Sequence, residues 1–377
     1  MKKYLLCIFT VLLLTGCQQS PEEVTEDDSN DQEDESPVVE NSDDIDEEVH
    51  EEEVMATITI DTFDVNNKEV IPVEQLMDEL EGEFSFDDIN RTLSMSVSGR
   101  DFYLVYEVPV LERDGEYLPT DEVLLVLDDE SAPYVTKEFI EHGLETDYEV
   151  LESNELEFVW EDEVIQAWAP PSRDDFDLDA FTVDEMIEYL SFLHDPIEGA
   201  QVSMVESHLP GAPRDYRNGT HEGIDWYAYG AGVSITTETP IYAMAEGTVV
   251  RVDHDFEEYE SAEVRNEDLE LAHEMGLTPE YILDRLRGQQ VWVQYDNGVM
   301  NRFAHLDDIP EDLELGSTVD ENTIIGYVGN SGTSHAFTDE NGGLHLHQDL
   351  LIYGEMFWEP YDPEEVTQIL NGIWGSE

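Results

Sequence analysis

The chain has 377 residues, enough for two or three domains, and its 40% hydrophobic content can give each a core. Its formal net charge is −78, with 15 lysines and arginines against 93 acidic residues. That balance excludes a nucleic-acid partner and electrostatic attraction to an anionic surface, and it suits a solvated exterior in saline or alkaline surroundings.

Residues 1–17 read as a targeting segment. Lys2 and Lys3 form a basic start, and Tyr4 to Leu14 form an apolar run too short to span a bilayer comfortably. The following Leu14-Thr15-Gly16-Cys17 resembles a bacterial lipobox. The resemblance implies a lipoprotein signal peptide, cleavage before Cys17 and acylation of that cysteine. The protein would then be anchored through lipid to the outer face of the cytoplasmic membrane, facing the cell-wall space. Cys7 would leave with the signal, so no disulfide is expected. Residues 18–54 hold no lysine or arginine and are dense in acids. Such a stretch buries too little to offset its ordering entropy and reads as a disordered tether, reaching on the order of 120 Å.

Residues 55–168 change character. Apolar alternation at Thr57 to Ile60, Leu93 to Val97, Phe102 to Val105 and Val123 to Leu127 predicts strands. Pro72 to Leu80 and Tyr134 to Ile140 have helical spacing. A small α+β domain follows. With Val65-Asn66-Asn67-Lys68 and Gly115-Glu116-Tyr117-Leu118-Pro119, the pattern resembles the stalk module first named from copper amine oxidases. That implies a spacer or wall-contact domain and no copper. Residues 169–200 read as a linker: Pro170-Pro171 breaks the chain, and Thr182-Val183-Asp184-Glu185 is a capping box opening a helix to about His194.

The chemistry is expected in residues 201–377. His221 and Asp225 are four apart and His345 and His347 two apart, so in extended strands each pair shares a face. Further strands are predicted over 289–295, which ends in Asp296-Asn297-Gly298, and over 301–306, which carries His305. Four imidazoles and a carboxylate on neighbouring strands suit a divalent metal; two nitrogens, one carboxylate oxygen and a water are a set zinc accepts when one position stays open. Residues 254–288 interrupt the strand sequence with an acidic, then helical, insertion. Thr278-Pro279-Glu280 would start its last helix and Gly288 would close it. Insertions of this size in an enzyme usually wall a substrate groove or pack against another domain. His194, His208, His254 and His273 read as incidental, whereas His335 can approach the cleft. The tail, with Trp358 and Trp374, is expected to pack back on the domain.

Over residues 208–354 the chain resembles the lysostaphin-type (LytM-like) zinc metalloendopeptidases. The carrying motifs are H-E-G-I-D at 221–225, F-A-H-L at 303–306 and G-L-H-L-H at 343–347. P-I-Y-A-M-A-E-G-T-V-V at 240–250 and I-I-G-Y-V-G-N-S-G at 324–332 stand between them. The resemblance implies a mainly antiparallel β fold, the duplicated hybrid motif, with one zinc per chain held by His221, Asp225 and His347. His305 and His345 become the catalytic pair beside a zinc-activated water, one handling the proton and the other the oxyanion or leaving amine. The implied reaction is hydrolysis of a peptide bond in the stem or cross-bridge of peptidoglycan, with room for a cell-wall partner protein. Two departures stand out. Gln348-Asp349 replaces the family's usual Phe-Glu, leaving Asp349 as a candidate to support a ligand. Phe303 stands where many relatives carry tyrosine, which removes a hydroxyl expected on the face of His305. The rival readings are a non-catalytic wall-binding or hydrolase-activating module of the same fold, and a structural protein with a closed metal site.

Overall fold

The computed structural model describes residues 56–160, 176–339 and 341–375. The expected signal peptide with Cys17, the expected acidic tether and Pro170-Pro171 lie outside them. Among the described residues no helix is long and apolar enough to cross a membrane.

The first region builds three antiparallel sheets. Ala56–Asp61 pairs with Glu155–Trp160, and a five-stranded meander runs from Glu83–Asp87 to Glu116–Leu118. Alternation explains the meander well: in Thr92–Val97, Leu93, Met95 and Val97 are buried while Ser94 and Ser96 are exposed. The helix expected from Pro72 is present over Val73–Glu79. The helical spacing at 134–140 instead resolves into a strand, Pro133–Thr136, and a short helix, Phe139–His142. β-Branched Val135 and Thr136 lie between two partner strands, so pairing overrides the spacing.

In the C-terminal region helix α1 is Val183–Leu190, opened by the Thr182/Glu185 capping box and ending earlier than His194. Strands β1 (Gly219–Thr220), β2 (Ile224–Tyr227), β3 (Pro240–Tyr242) and β4 (Gly247–Val252) follow. The insertion then supplies α2 (Ala262–Met275) and α3 (Glu280–Arg287). Next come β5 (Val291–Tyr295), β6 (Val299–Ala304), β7 (Leu306–Asp308), β8 (Thr318–Val319), β9 (Ile324–Val328), β10 (His345–Ile352) and α4 (Pro363–Trp374). The main sheet has the order β2-β10-β6-β5-β4-β8, with Glu355–Met356 pairing at β10; β3, β9 and β7 form a second sheet. All these pairings are antiparallel.

Strand β10 lies between β2 and β6, and all eight of its residues are buried. On its core face, Gln348 accepts from Trp226 Nε1 at 2.9 Å and donates to Asn301 Oδ1 at 2.9 Å, which satisfies a buried amide. The tail packs back as expected. Trp374 meets Trp226 edge-to-face at 5.9 Å, an arrangement worth about 0.5–1.5 kcal/mol beyond burial. Trp358 Nε1 donates to the Glu222 carbonyl at 2.7 Å, which fixes the loop carrying His221. A separate apolar cluster joins Val105, Val108 and Tyr117 of the first region to Ile282, Trp292 and Leu351.

Candidate metal and active site

The register of the sheet brings the motif together. Asp225 lies opposite His347, and Tyr227 opposite His345, across the β2–β10 pair. His345, His347 and Asp349 alternate onto one face of β10. His221 and Asp225 do not share one strand as expected. The chain leaves β1 at Thr220, turns through Gly223 and enters β2 at Ile224. A Cβ at Gly223 would lie 2.2 Å from the Gln348 carbonyl oxygen and 2.5 Å from Asp349 Oδ1, so only glycine lets the turn approach β10 this closely.

Three donor atoms converge there. His221 Nε2 is 3.0 Å from Asp225 Oδ1 and 3.1 Å from His347 Nδ1, and the third edge is 2.9 Å. These edges lie within a few tenths of an ångström of the ~3.3 Å ligand separation of a tetrahedral zinc with bonds of ~2.0–2.1 Å. The remaining nitrogens are held so that the lone pairs converge. His221 Nδ1 donates to the Leu209 carbonyl at 3.0 Å, and His347 Nε2 donates to Asp349 Oδ1 at 2.8 Å. Arg214 Nη2 binds the other Asp225 oxygen at 3.3 Å, leaving Oδ1 for the cluster. The donor set therefore fits a zinc ion, with Asp349 as the carboxylate behind the His347 imidazole.

The electrostatics follow from this packing. Burial would raise the Asp225 carboxyl, but the His221 imidazole and the hydrogen bonds from His221 and His347 outweigh it and hold it well below the usual range. Burial alone would lower His347; the Asp349 charge and bonds to both carboxylates instead raise it to about 9.

His305 and His345 flank the cluster. His345 stacks on Tyr227 at 4.2 Å, and its Nε2 lies 3.6 Å from Asp225 Oδ1. The two rings are 4.7 Å apart. Each donates from Nδ1 to a carbonyl, His305 to Ser331 at 2.7 Å and His345 to Gly343 at 2.8 Å. A carbonyl only accepts, so the proton sits on Nδ1 and Nε2 is bare in the neutral ring. Burial keeps both neutral: His345 is lowered to about 4, and His305 is held well below the ordinary range.

The strand expected through 301–306 breaks at His305, whose φ is +60°. Its amide donates to the Arg287 carbonyl at 2.8 Å. The break separates Phe303 from the site: Phe303 lies opposite Gln348 and is wholly buried in the core, while His305 lines the cleft. A tyrosine hydroxyl at 303 would therefore not share a face with His305.

Residues 220–357 match Peptidase family M23. The C-terminal region carries an M23 peptidase domain. No curated protein matches the chain. Among solved structures the chain is similar to a zinc-containing peptidase from Vibrio cholerae, at 12% identity over 70% of this chain and 48% of that one, TM-score 0.27. The lysostaphin catalytic domain from Staphylococcus simulans matches at 18% identity over 38% and 77% of the two chains, TM-score 0.23. LytU matches at 21% identity over 48% and 96%, TM-score 0.26. The chain spans about half the length of the Vibrio protein or less of Helicobacter pylori Csd3, at 48% and 40%.

The insertion of this M23 domain reaches the site directly. Arg287, the last residue of α3, donates from Nε to Asp349 Oδ2 at 2.8 Å. Burial would raise Asp349, but Arg287 and His347 outweigh it and keep it far below the usual range. Arg302 stands 3.9 Å from the same carboxylate and donates to Tyr117 of the first region at 3.0 Å. Asp349 is legible beside His347 in the sequence, whereas no local signal marks Arg287, Arg302 or Tyr117, whose partners are distant in the chain. His208, expected to be incidental, is instead buried against Tyr227 at 4.8 Å and lines the cleft. His335 lines the cleft too. His254 binds the Leu313 carbonyl instead, and His273 offers its own carbonyl to Asn218.

Proposed function

We propose that the protein is a cell-surface zinc endopeptidase that hydrolyses peptide bonds in the stem or cross-bridge of peptidoglycan. M23 is a family that includes peptidoglycan hydrolases as well as some inactive members. The observation that carries the catalytic reading is the pair of imidazoles whose Nδ1 atoms are tied to carbonyls, leaving Nε2 bare, beside a three-atom metal triangle in an open cleft. A protein that only binds wall peptide has no need of proton acceptors held in that way.

His221, Asp225 and His347 would hold the zinc. A zinc ion there supplies Lewis acidity to the scissile carbonyl and lowers the pKa of water towards about 7. This chain's part is to place two imidazoles for the proton. A bare Nε2 accepts a proton from the attacking water, and the imidazolium so formed donates it to the leaving amine. The carbonyls of Ser331 and Gly343 accept from Nδ1 throughout and keep each ring oriented. The Tyr227 ring restricts His345 further by stacking.

The lipobox supports a second part of the proposal: acylated Cys17 anchors the chain at the outer face of the cytoplasmic membrane, and residues 18–54 extend it towards the wall. The test is digestion of purified peptidoglycan by the zinc-loaded chain, with and without chelator. New amine termini that vanish with chelator are expected. A zinc-loaded protein that releases none from several peptidoglycan types refutes the peptidase reading.

A further inference from the structure

Charge in the catalytic half is distributed unevenly. From residue 176 onward the chain has 42 acidic residues, seven arginines and no lysine. Four of those arginines, Arg214, Arg217, Arg265 and Arg287, line the cleft of about 680 Å³ that holds the metal triangle; the lining carboxylates are Glu222 and Asp225. Three of the four are matched by protein anions. Arg217 pairs with Glu222 at 2.6 Å, Arg287 with Asp349 at 2.8 Å, and Arg214 with Asp225 at 3.3 Å.

Arg265 is different. It comes from α2 of the insertion, and its Nε donates to the Gly332 carbonyl at 2.6 Å. It forms no ion pair among the described residues. The nearest acids are engaged elsewhere: Glu258 accepts from the Gly332 amide at 2.8 Å, and Asp268 takes Arg285 and the Tyr259 hydroxyl. The anchor is informative, because Gly332 follows Ser331, whose carbonyl orients His305. The guanidinium is thus tied to the loop that positions a catalytic imidazole.

We infer that this peptidase, on the reading above, selects peptides bearing a free carboxylate close to the scissile bond, and that Arg265 binds it. The physical reason is the field of the protein. A net charge of −78 opposes the approach of any anionic peptide. A partly desolvated guanidinium without a counter-ion offsets that locally and offers a forked, charge-assisted contact to a carboxylate. A neutral peptide would leave the guanidinium without a counter-ion in the cleft. The carboxylate can be a side chain or a chain terminus.

The experiment uses the zinc-loaded full chain in detergent and three forms of one synthetic stem-peptide dimer. One has free carboxylates, one has its side-chain carboxyl amidated, and one has its C-terminus amidated. Affinity is measured by calorimetry and hydrolysis by release of new amines. Amidating the recognised carboxylate is expected to lower both affinity and kcat/KM by on the order of 10–100-fold. In Arg265→Gln the acid-to-amide ratio should fall towards one, and Arg265→Lys should keep part of it. Zinc content of both variants checks that the site is intact. Equal treatment of all three peptides by the wild type overturns the inference while leaving the peptidase reading in place if they are cut. So does an unchanged ratio in a zinc-loaded Arg265→Gln protein. Preferential binding of the acid form without hydrolysis supports the inference and refutes the peptidase reading. Failure to bind any of the three overturns the inference.

Discussion

Replacing Asp349 by asparagine removes one charge from a wholly buried position and leaves the shape almost unchanged. In the native protein its two oxygens accept from His347 Nε2 and Arg287 Nε, each at 2.8 Å, with Arg302 at 3.9 Å. The amide can still accept from His347, but two buried guanidinium groups lose their counter-ion. Arg287 Nη2 already has no hydrogen-bond partner, so the substitution leaves Arg287 poorly compensated. Breaking a buried ion pair from one side costs about 3–5 kcal/mol. For a domain of this size that is roughly 6–20 °C in Tm, measured on the metal-free protein so that zinc loss does not contribute. Loss of the carboxylate behind His347 should also weaken zinc binding about 10–100-fold. Competition with a chromophoric chelator reads that term, and thermal denaturation of apo protein reads the first. A Tm within about 2 °C of wild type would refute the claim that the carboxylate compensates the arginines. Reduced stability with unchanged zinc affinity would show that Asp349 serves Arg287 and Arg302 but does not tune the ligand.

Five further outcomes are expected. His221→Ala should empty the metal site, so full zinc content by mass spectrometry in that variant would sink the ligand assignment. Alanine at His305 or His345 should keep zinc and fold while turnover falls by on the order of 10²–10⁴, and losing both should cost far less than the product because they serve one step. Zinc affinity should rise about tenfold per pH unit up to about 9, since binding expels the His347 proton; a flat profile from pH 7 to 9 would show that the proton is not there. The same raised pKa gives metal-free protein a stabilisation present below pH ~6.5 and lost as pH rises through about 9, visible as a falling apo Tm. Finally, Cys17→Ser should move the protein out of the membrane fraction, because the acidic tether is repelled by an anionic leaflet; unchanged partition would mean that something other than an acyl chain holds it.

By itself the sequence determined what short-range rules govern. Spacings of two and four residues marked His345 with His347 and His221 with Asp225. Thr182 and Glu185 announced a helix start, and residues 254–288 announced a helical insertion. These signals lie within a few residues of their effect, where backbone periodicity and capping chemistry act. What only the tertiary structure decided involves residues far apart in the chain. Arg287 and Asp349 are 62 positions apart, and Tyr117 and Arg302 are 185 apart. Nothing local to either partner encodes such pairs; they arise because β10 is flanked by β2 and β6 and the insertion folds back towards Asp349. The break at His305 and the turn at Gly223 belong to the same class. Each residue adopts a local geometry that strand alternation argues against, because a neighbouring segment, Arg287 in one case and β10 in the other, fixes where its backbone must lie.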